Sequence, residues 1–156
     1  MHYFIYQISG GHMKKLLVVA LAALVVLPLI PMKAQAGQFG DLLIELETSV
    51  NFSAQTDQWR ARRSGWINDV RAAGSDLAAL KRLLIEFETN VNFSAQVSNW
   101  SQRRSAWISR VNSAGSIQQL GAAMIEVETS INYSAQTSSW RNRRAGWISR
   151  VRAASN

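Results

Sequence analysis

Between Ile44 and Gln55 the apolar positions carry two periods at once. Every second residue places Ile44, Leu46, Thr48, Val50, Phe52 and Ala54 on one side, opposite Glu45, Glu47, Ser49, Asn51, Ser53 and Gln55. That alternation is a strand signal. At helical spacing, Leu43, Leu46, Val50 and Ala54 form a stripe instead. It is matched by Leu77, Leu80, Leu84, Phe87, Val91 and Ala95, and by Ile117, Leu120, Met124, Val127, Ile131 and Ala135. Such a stripe is the mark of an amphipathic helix. The following stretch is helical by pattern: Phe52, Trp59, Trp66 and Val70 share one face, with Arg62 and Arg63 between the tryptophans.

Both patterns recur. Ile44–Gln55 returns as Ile85–Gln96 and as Ile125–Gln136, at intervals of 41 and then 40 residues. The block Trp59, Arg62, Arg63, Trp66 returns as Trp100, Arg103, Arg104, Trp107 and as Trp140, Arg143, Arg144, Trp147. A fixed period of this size implies one supersecondary unit reused, whose apolar face is covered only when units stack.

Three features favour helix over strand for the ambiguous segment. No proline occurs after Pro31, as suits long uninterrupted helices. The joints Ala73-Gly74-Ser75-Asp76 and Ala114-Gly115-Ser116-Ile117 offer Gly for a left-handed C′ position and Ser for the next N-cap, and Ser116 with Gln119 makes a capping box. Folding back at these joints also sets acidic first halves against basic second halves: Glu86 opposite Arg63, Glu45 opposite Arg104, Glu126 near Arg104. The predicted fold is all-α, with three tandem repeats at 41–74, 75–115 and 116–156. Long antiparallel helices over 41–73, 76–114 and 117–153, each roughly 50 Å, would form a three-helix bundle. A break near Ser94-Ala95 and its equivalents would give a short α-solenoid of helix pairs, because Ser, Asn and Thr cluster there and weaken helices. The alternative fold has a strand at 44–55, 85–96 and 125–136, each followed by a helix.

The first 36 residues read as an export signal: a basic Met13-Lys14-Lys15, an apolar run Leu16–Ile30, and the small-x-small site Ala34-Gln35-Ala36, with cleavage before Gly37. The apolar run is shorter than the ~20 residues of a membrane span, and Pro28 and Pro31 interrupt its end. Met1–His12 fits no signal design, which makes Met13 the expected start. Removing Lys14, Lys15 and Lys33, with no acid, leaves 14 basic against 10 acidic residues, a net +4 for 37–156 instead of +7. The expected location is exported, in a bacterial periplasm or outside the cell, with membrane contact only through the uncleaved signal.

Catalysis is disfavoured by composition. Both histidines, His2 and His12, precede the expected mature start, and there is no cysteine. The commonest general base, thiolate chemistry and most transition-metal sites are then missing. The Glu-x-Glu pairs (Glu45/Glu47, Glu86/Glu88, Glu126/Glu128) would serve a hard cation only on a strand, since residues two apart on a helix do not face each other. They are expected to pair with arginines across the hairpins, and no cofactor or metal is expected. The tryptophans are expected in the core. The competing arrangement is an exposed Arg/Trp ladder gripping an anionic polymer such as nucleic acid, lipopolysaccharide or an acidic glycan. Asn51-Phe52-Ser53, Asn92-Phe93-Ser94 and Asn132-Tyr133-Ser134 match a glycan acceptor but read as polar helix surface. The expected function is non-catalytic binding, scaffolding or self-assembly. The partners expected are another protein or a second copy, docking on the free faces of the first and third helices.

Overall fold

The computed structural model describes residues 32–155, and the structural statements below concern those residues. Six α-helices follow one another: α1 Met32–Ser49, α2 Asp57–Ala73, α3 Leu77–Thr89, α4 Trp100–Ser113, α5 Ile117–Ser130 and α6 Ser138–Ala154. One-turn 3-10 segments, Phe52–Ala54, Phe93–Ala95 and Tyr133–Ala135, separate α1 from α2, α3 from α4 and α5 from α6. The described chain is all-helical. The strands considered at 44–55, 85–96 and 125–136 do not form, and neither do unbroken rods over 41–73, 76–114 and 117–153.

The break has a physical cause. At each one the backbone leaves the helix and bonds to another break. Asn51 N–H donates to Ala135 O, Asn92 N–H to Ala54 O and Asn132 N–H to Ala95 O, each at 2.8 Å. Thr56 N–H donates to Asn90 O, Val97 N–H to Ser130 O and Thr137 N–H to Ser49 O. Groups that a continuous helix would pair internally are thus paired across the molecule, as buried backbone requires. The strand-like alternation in the sequence survives only as isolated antiparallel bridges: Val50 with Gln136, Gln55 with Val91, and Gln96 with Ile131.

Helices α1, α3 and α5 touch one another at the centre, while α2, α4 and α6 lie outside. Each outer helix packs against the inner helices on both sides of it, α2 between α1 and α3, α4 between α3 and α5, α6 between α5 and α1. The last contact closes the arrangement. Consequently the faces of the first and last helices, expected to be free for a second copy, cover each other. An open solenoid leaves end faces bare; this closed order leaves none.

The core follows from the two stripes. Inner helices bury Leu43, Leu46, Leu80, Leu84, Phe87, Leu120, Met124 and Val127, and outer helices bury all six tryptophans at 0% exposure. Within each outer helix the indoles pair at 5.3, 5.7 and 5.4 Å between centroids, a spacing that adds to burial. Phe52, placed by periodicity on the tryptophan face, sits instead in the first 3-10 segment and is exposed.

The two joints are capped differently. Gly74 takes φ +52°, and Asp76 rather than Ser75 caps α3, accepting from Ala78 N–H and Ala79 N–H. Ser116 caps α5 by accepting from Gln119 N–H, while Gln119 Oε1 accepts from Gly115 N–H, a variant of the capping box. The apolar run Leu16–Ile30 and the extension Met1–His12 lie outside the described residues; the cut expected before Gly37 falls within α1. No described helix is long and apolar enough to cross a membrane.

Candidate functional site

Residues two apart on a helix point about 200° apart, so each Glu-x-Glu pair serves two neighbours. The first carboxylate of each pair bonds the outer helix on the far side. Glu86 accepts from Arg62 Nε at 2.7 Å, Glu126 from Arg110 Nη2 at 2.6 Å, and Glu45 from Arg143 Nη1 at 3.3 Å and Arg150 Nη2 at 2.6 Å. These pairs are partly exposed, and such pairs contribute little each.

The second carboxylate is buried and serves the outer helix that follows it. Glu47 Oε1 accepts from Gln55 Nε2, Trp59 Nε1 and Arg63 Nε. Glu88 receives the same three donors from Gln96, Trp100 and Arg104, and Glu128 from Gln136, Trp140 and Arg144. A buried charge is tolerated only when paired and hydrogen-bonded, and here the amide, indole and guanidinium supply that. Glu47 Oε2 and Glu128 Oε2 lack partners, whereas Glu88 Oε2 accepts from Arg104 Nε at 2.8 Å.

The second tryptophan of each outer helix points the other way. Trp66 Nε1–H donates to Leu83 O, Trp107 Nε1–H to Ala123 O and Trp147 Nε1–H to Leu42 O, each across to the adjoining inner helix. Every indole N–H is therefore spent inside the protein. Arg103 and Arg143 lie over Trp100 and Trp140 at 5.4 and 5.7 Å and shield them further. The exposed Arg/Trp ladder does not exist, because heptad spacing put these rings in the core.

The charge register differs from the one anticipated. Arg63 and Arg104 go to the buried Glu47 and Glu88; Arg62 takes Glu86, and Arg104 takes neither Glu45 nor Glu126. Hydrogen bonds to Glu86 and then Asp69 raise the Arg62 pKa above the ordinary arginine value. The bond to Glu128 does the same for Arg144 against the lowering effect of burial. Both guanidiniums stay charged at any working pH. Among the described residues no cluster of three or more metal-ligating side chains occurs.

What remains exposed is on the loop side. Phe52, Phe93 and Tyr133 are the large apolar side chains left in solvent, at 55%, 62% and 55% exposure. Each opens a 3-10 segment, and each ring is covered on one side by the arginine that reaches the buried glutamate. Arg63 lies over Phe52 at 5.4 Å, Arg104 over Phe93 at 5.8 Å and Arg144 over Tyr133 at 5.7 Å. Next to them in the chain, Ser53, Ala54, Ser94, Ala95, Ser134 and Ala135 line a shallow, mainly polar depression of about 170 Å³. The adjacent asparagines are not polar helix surface: Asn51 Nδ2–H donates to Ser134 O, Asn92 Nδ2–H to Ser53 O and Gln55 O, and Asn132 Nδ2–H to Gln96 O. A glycan on these nitrogens would take one of the two N–H groups of each amide, and Asn92 uses both.

Sequence reasoning overlooked this aromatic face and the roles of Gln55, Gln96, Gln136, Arg110 and Arg150. One signal was present: an aromatic, a Ser, an Ala and a Gln at fixed offsets from the buried glutamate in all three copies. No curated protein and no solved structure matches the chain. A protein family described as "Domain of unknown function (DUF8799)" matches residues 75–136, from the joint before α3 to the break after α5.

Proposed function

We propose that residues 37–156 form a closed ring of three equivalent helix-pair units, exported and non-catalytic, which acts as a binding or scaffolding module through its loop face. Three sets of equivalent contacts support the unit reading: the buried Glu47, Glu88 and Glu128 networks, the indole bonds to Leu83, Ala123 and Leu42, and the cyclic pairing of the breaks. A non-catalytic role is supported by the employment of the six helix glutamates as arginine partners, in a stretch without His or Cys. The observation that carries the reading is the exposure of Phe52, Phe93 and Tyr133, one at the start of each break, while no other large apolar side chain among the described residues is exposed. Large apolar side chains left exposed at equivalent positions of one face support an interaction surface there.

Capture of an anionic polymer is the competing function. It has no exposed indole to stack on, and the arginines beside the exposed rings are already neutralised by buried glutamates. The two readings separate on a hydrophobic-interaction resin and on immobilised heparin. The variant Phe52→Ser/Phe93→Ser/Tyr133→Ser, checked for unchanged helicity, is expected to elute earlier than the unaltered chain from the first resin. Heparin is expected to release both alike at moderate salt. Tight, salt-sensitive retention on heparin that ignores the triple substitution, with no change on the apolar resin, would reverse the proposal.

A further inference from the structure

We propose that cutting the chain before Gly37 seats the new α-ammonium in a notch at the end of α2, where it donates to Arg71 O beside Asp41 and ties α1 to α2. This use of the terminus rests on the export reading above, which supplies the cut.

The chain itself fills the equivalent notch in its second unit. There Lys81, near the start of α3, reaches across to the end of α4, and its Nζ donates to Asn112 O at 3.1 Å. At the repeat intervals of 41 and 40 residues, Lys81 corresponds to Gly40 and Gly121, and Asn112 to Arg71 and Arg152. With no side chain at Gly40, a notch of about 160 Å³ stays open, lined by Gly37, Gly40, Asp41, Val70, Arg71 and Gly74.

The carbonyls show which notch lacks a donor. The last C=O groups of a helix have no partner within it. Asn112 O takes Lys81, and Arg152 O takes Ser155 N–H at 3.3 Å. Arg71 O, their counterpart, accepts from no donor among the described residues. Charge points the same way. Asp41 stands where the second unit has Arg82 and the third Ala122. It is exposed and makes no ion pair among the described residues. An orphan carbonyl at the negative end of a helix, beside a free carboxylate, is a seat for a cation. Arg71 lines the notch too, but it is exposed, and its stem can carry the guanidinium out into water. The notch at Gly121 offers no such seat: no carboxylate lines it, and its carbonyl is taken.

The cation that fits is the chain's own terminus. Helices α3 and α5 begin at Leu77 and Ile117, which correspond to Ala36, whereas α1 runs back to Met32. A cut between Ala36 and Gly37 trims α1 to within one residue of its two counterparts. Water adds across that amide, leaving a carboxylate on Ala36 and an amine on Gly37 that is protonated at neutral pH. Gly37 already lines the notch. Long side chains on a helix lean toward its N-terminus, so the Lys81 ammonium leans toward the level that Gly37 holds relative to Gly40. The positive end of α1's own dipole opposes an ammonium there. An unpartnered amine would therefore leave the chain less stable than its acetylated form, and the notch reverses that order.

Export of the full chain from a bacterial host, followed by mass determination, tests the cut by itself. The product is expected to begin at Gly37; any other start overturns the export cut and this seat together. The product is then acetylated at about pH 6.5, where the α-amine reacts ahead of Lys81. Acetylation should lower Tm by about 1–5 °C. The loss should shrink to half or less in Asp41→Asn, which removes the counter-charge, and in Gly40→Lys, which supplies the missing ammonium from the helix. An acetylated product that melts at the same or a higher temperature overturns the seat while leaving the cut standing. So does a loss that stays above half in either variant.

Discussion

Glu86 and Glu88 are two residues apart on one helix, and the structure assigns them very different energies. Glu88 is buried and accepts from Gln96 Nε2 at 3.2 Å, Trp100 Nε1 at 2.8 Å and Arg104 Nε at 2.8–2.9 Å. Glu88→Ala removes all three acceptor contacts and strands an indole N–H and an amide in the core. Orphaned donors cost about 1–3 kcal/mol each. Arg104 retains its bond to Thr89 Oγ1 and some solvent access, which lessens its share. The sum lies near the about 3–5 kcal/mol seen when one member of a buried pair is deleted. Glu88→Gln keeps an acceptor for Trp100 but loses the charge opposite Arg104, so about 1–3 kcal/mol is expected. Glu86→Ala gives up a partly exposed pair, and Arg62 keeps Asp69 at 2.6 Å; such pairs contribute about 0.2–1 kcal/mol. Urea unfolding followed by far-UV circular dichroism gives all three values. At about 3–5 °C per kcal/mol, the Ala substitutions should also differ by roughly 6–25 °C in Tm. Equal losses for Glu86→Ala and Glu88→Ala, or less than about 1 kcal/mol for Glu88→Ala, would refute the assignment of the buried role.

Gly74 holds φ +52° and ψ −110°, outside the left-handed helical region, and a Cβ there meets nothing within 4 Å, so Gly74→Ala should cost more than about 1 kcal/mol through the backbone alone. Gly115 has no positive φ and its Cβ would meet only Gln119 Oε1 at 3.7 Å, so Gly115→Ala should stay within about 0.5 kcal/mol; equal effects in thermal melts would contradict the two turn geometries. Deleting 117–156 strips α1 of α6 and α4 of α5 and removes the partners of Leu42 and Trp107. The shortened chain is expected to lose its cooperative melt or to assemble through the opened faces, and a monomer melting as sharply as the whole would argue against closure.

The helical character of the chain, its apolar stripes and the joints near Gly74 and Gly115 were legible in the sequence, because spacing of 3.6 residues and joint chemistry are local properties, whereas three long helices and helix pairs stayed equally open. The burial of tryptophan at heptad spacing was legible too. The breaks after Ser49, Thr89 and Ser130 were visible as clusters of Ser, Asn and Thr, yet local propensity could not settle whether the rod bends there. The hydrogen bonds that stabilise the break come from residues some forty or eighty positions away, as with Asn51 and Ala135.

Closure has the same origin. Whether the helix pairs stack openly or return to their start depends on the angle between neighbours, which no residue encodes by itself. That angle brings Trp147 to Leu42 O and Arg150 to Glu45, and so removes the end faces that an open stack would offer a partner. It also decides which glutamate of each pair is buried. Residue order determined the helices and their two apolar stripes. Only the packing of the six together decided that Phe52, Phe93 and Tyr133 stay in solvent while the tryptophans, equally apolar and just as regularly spaced, do not.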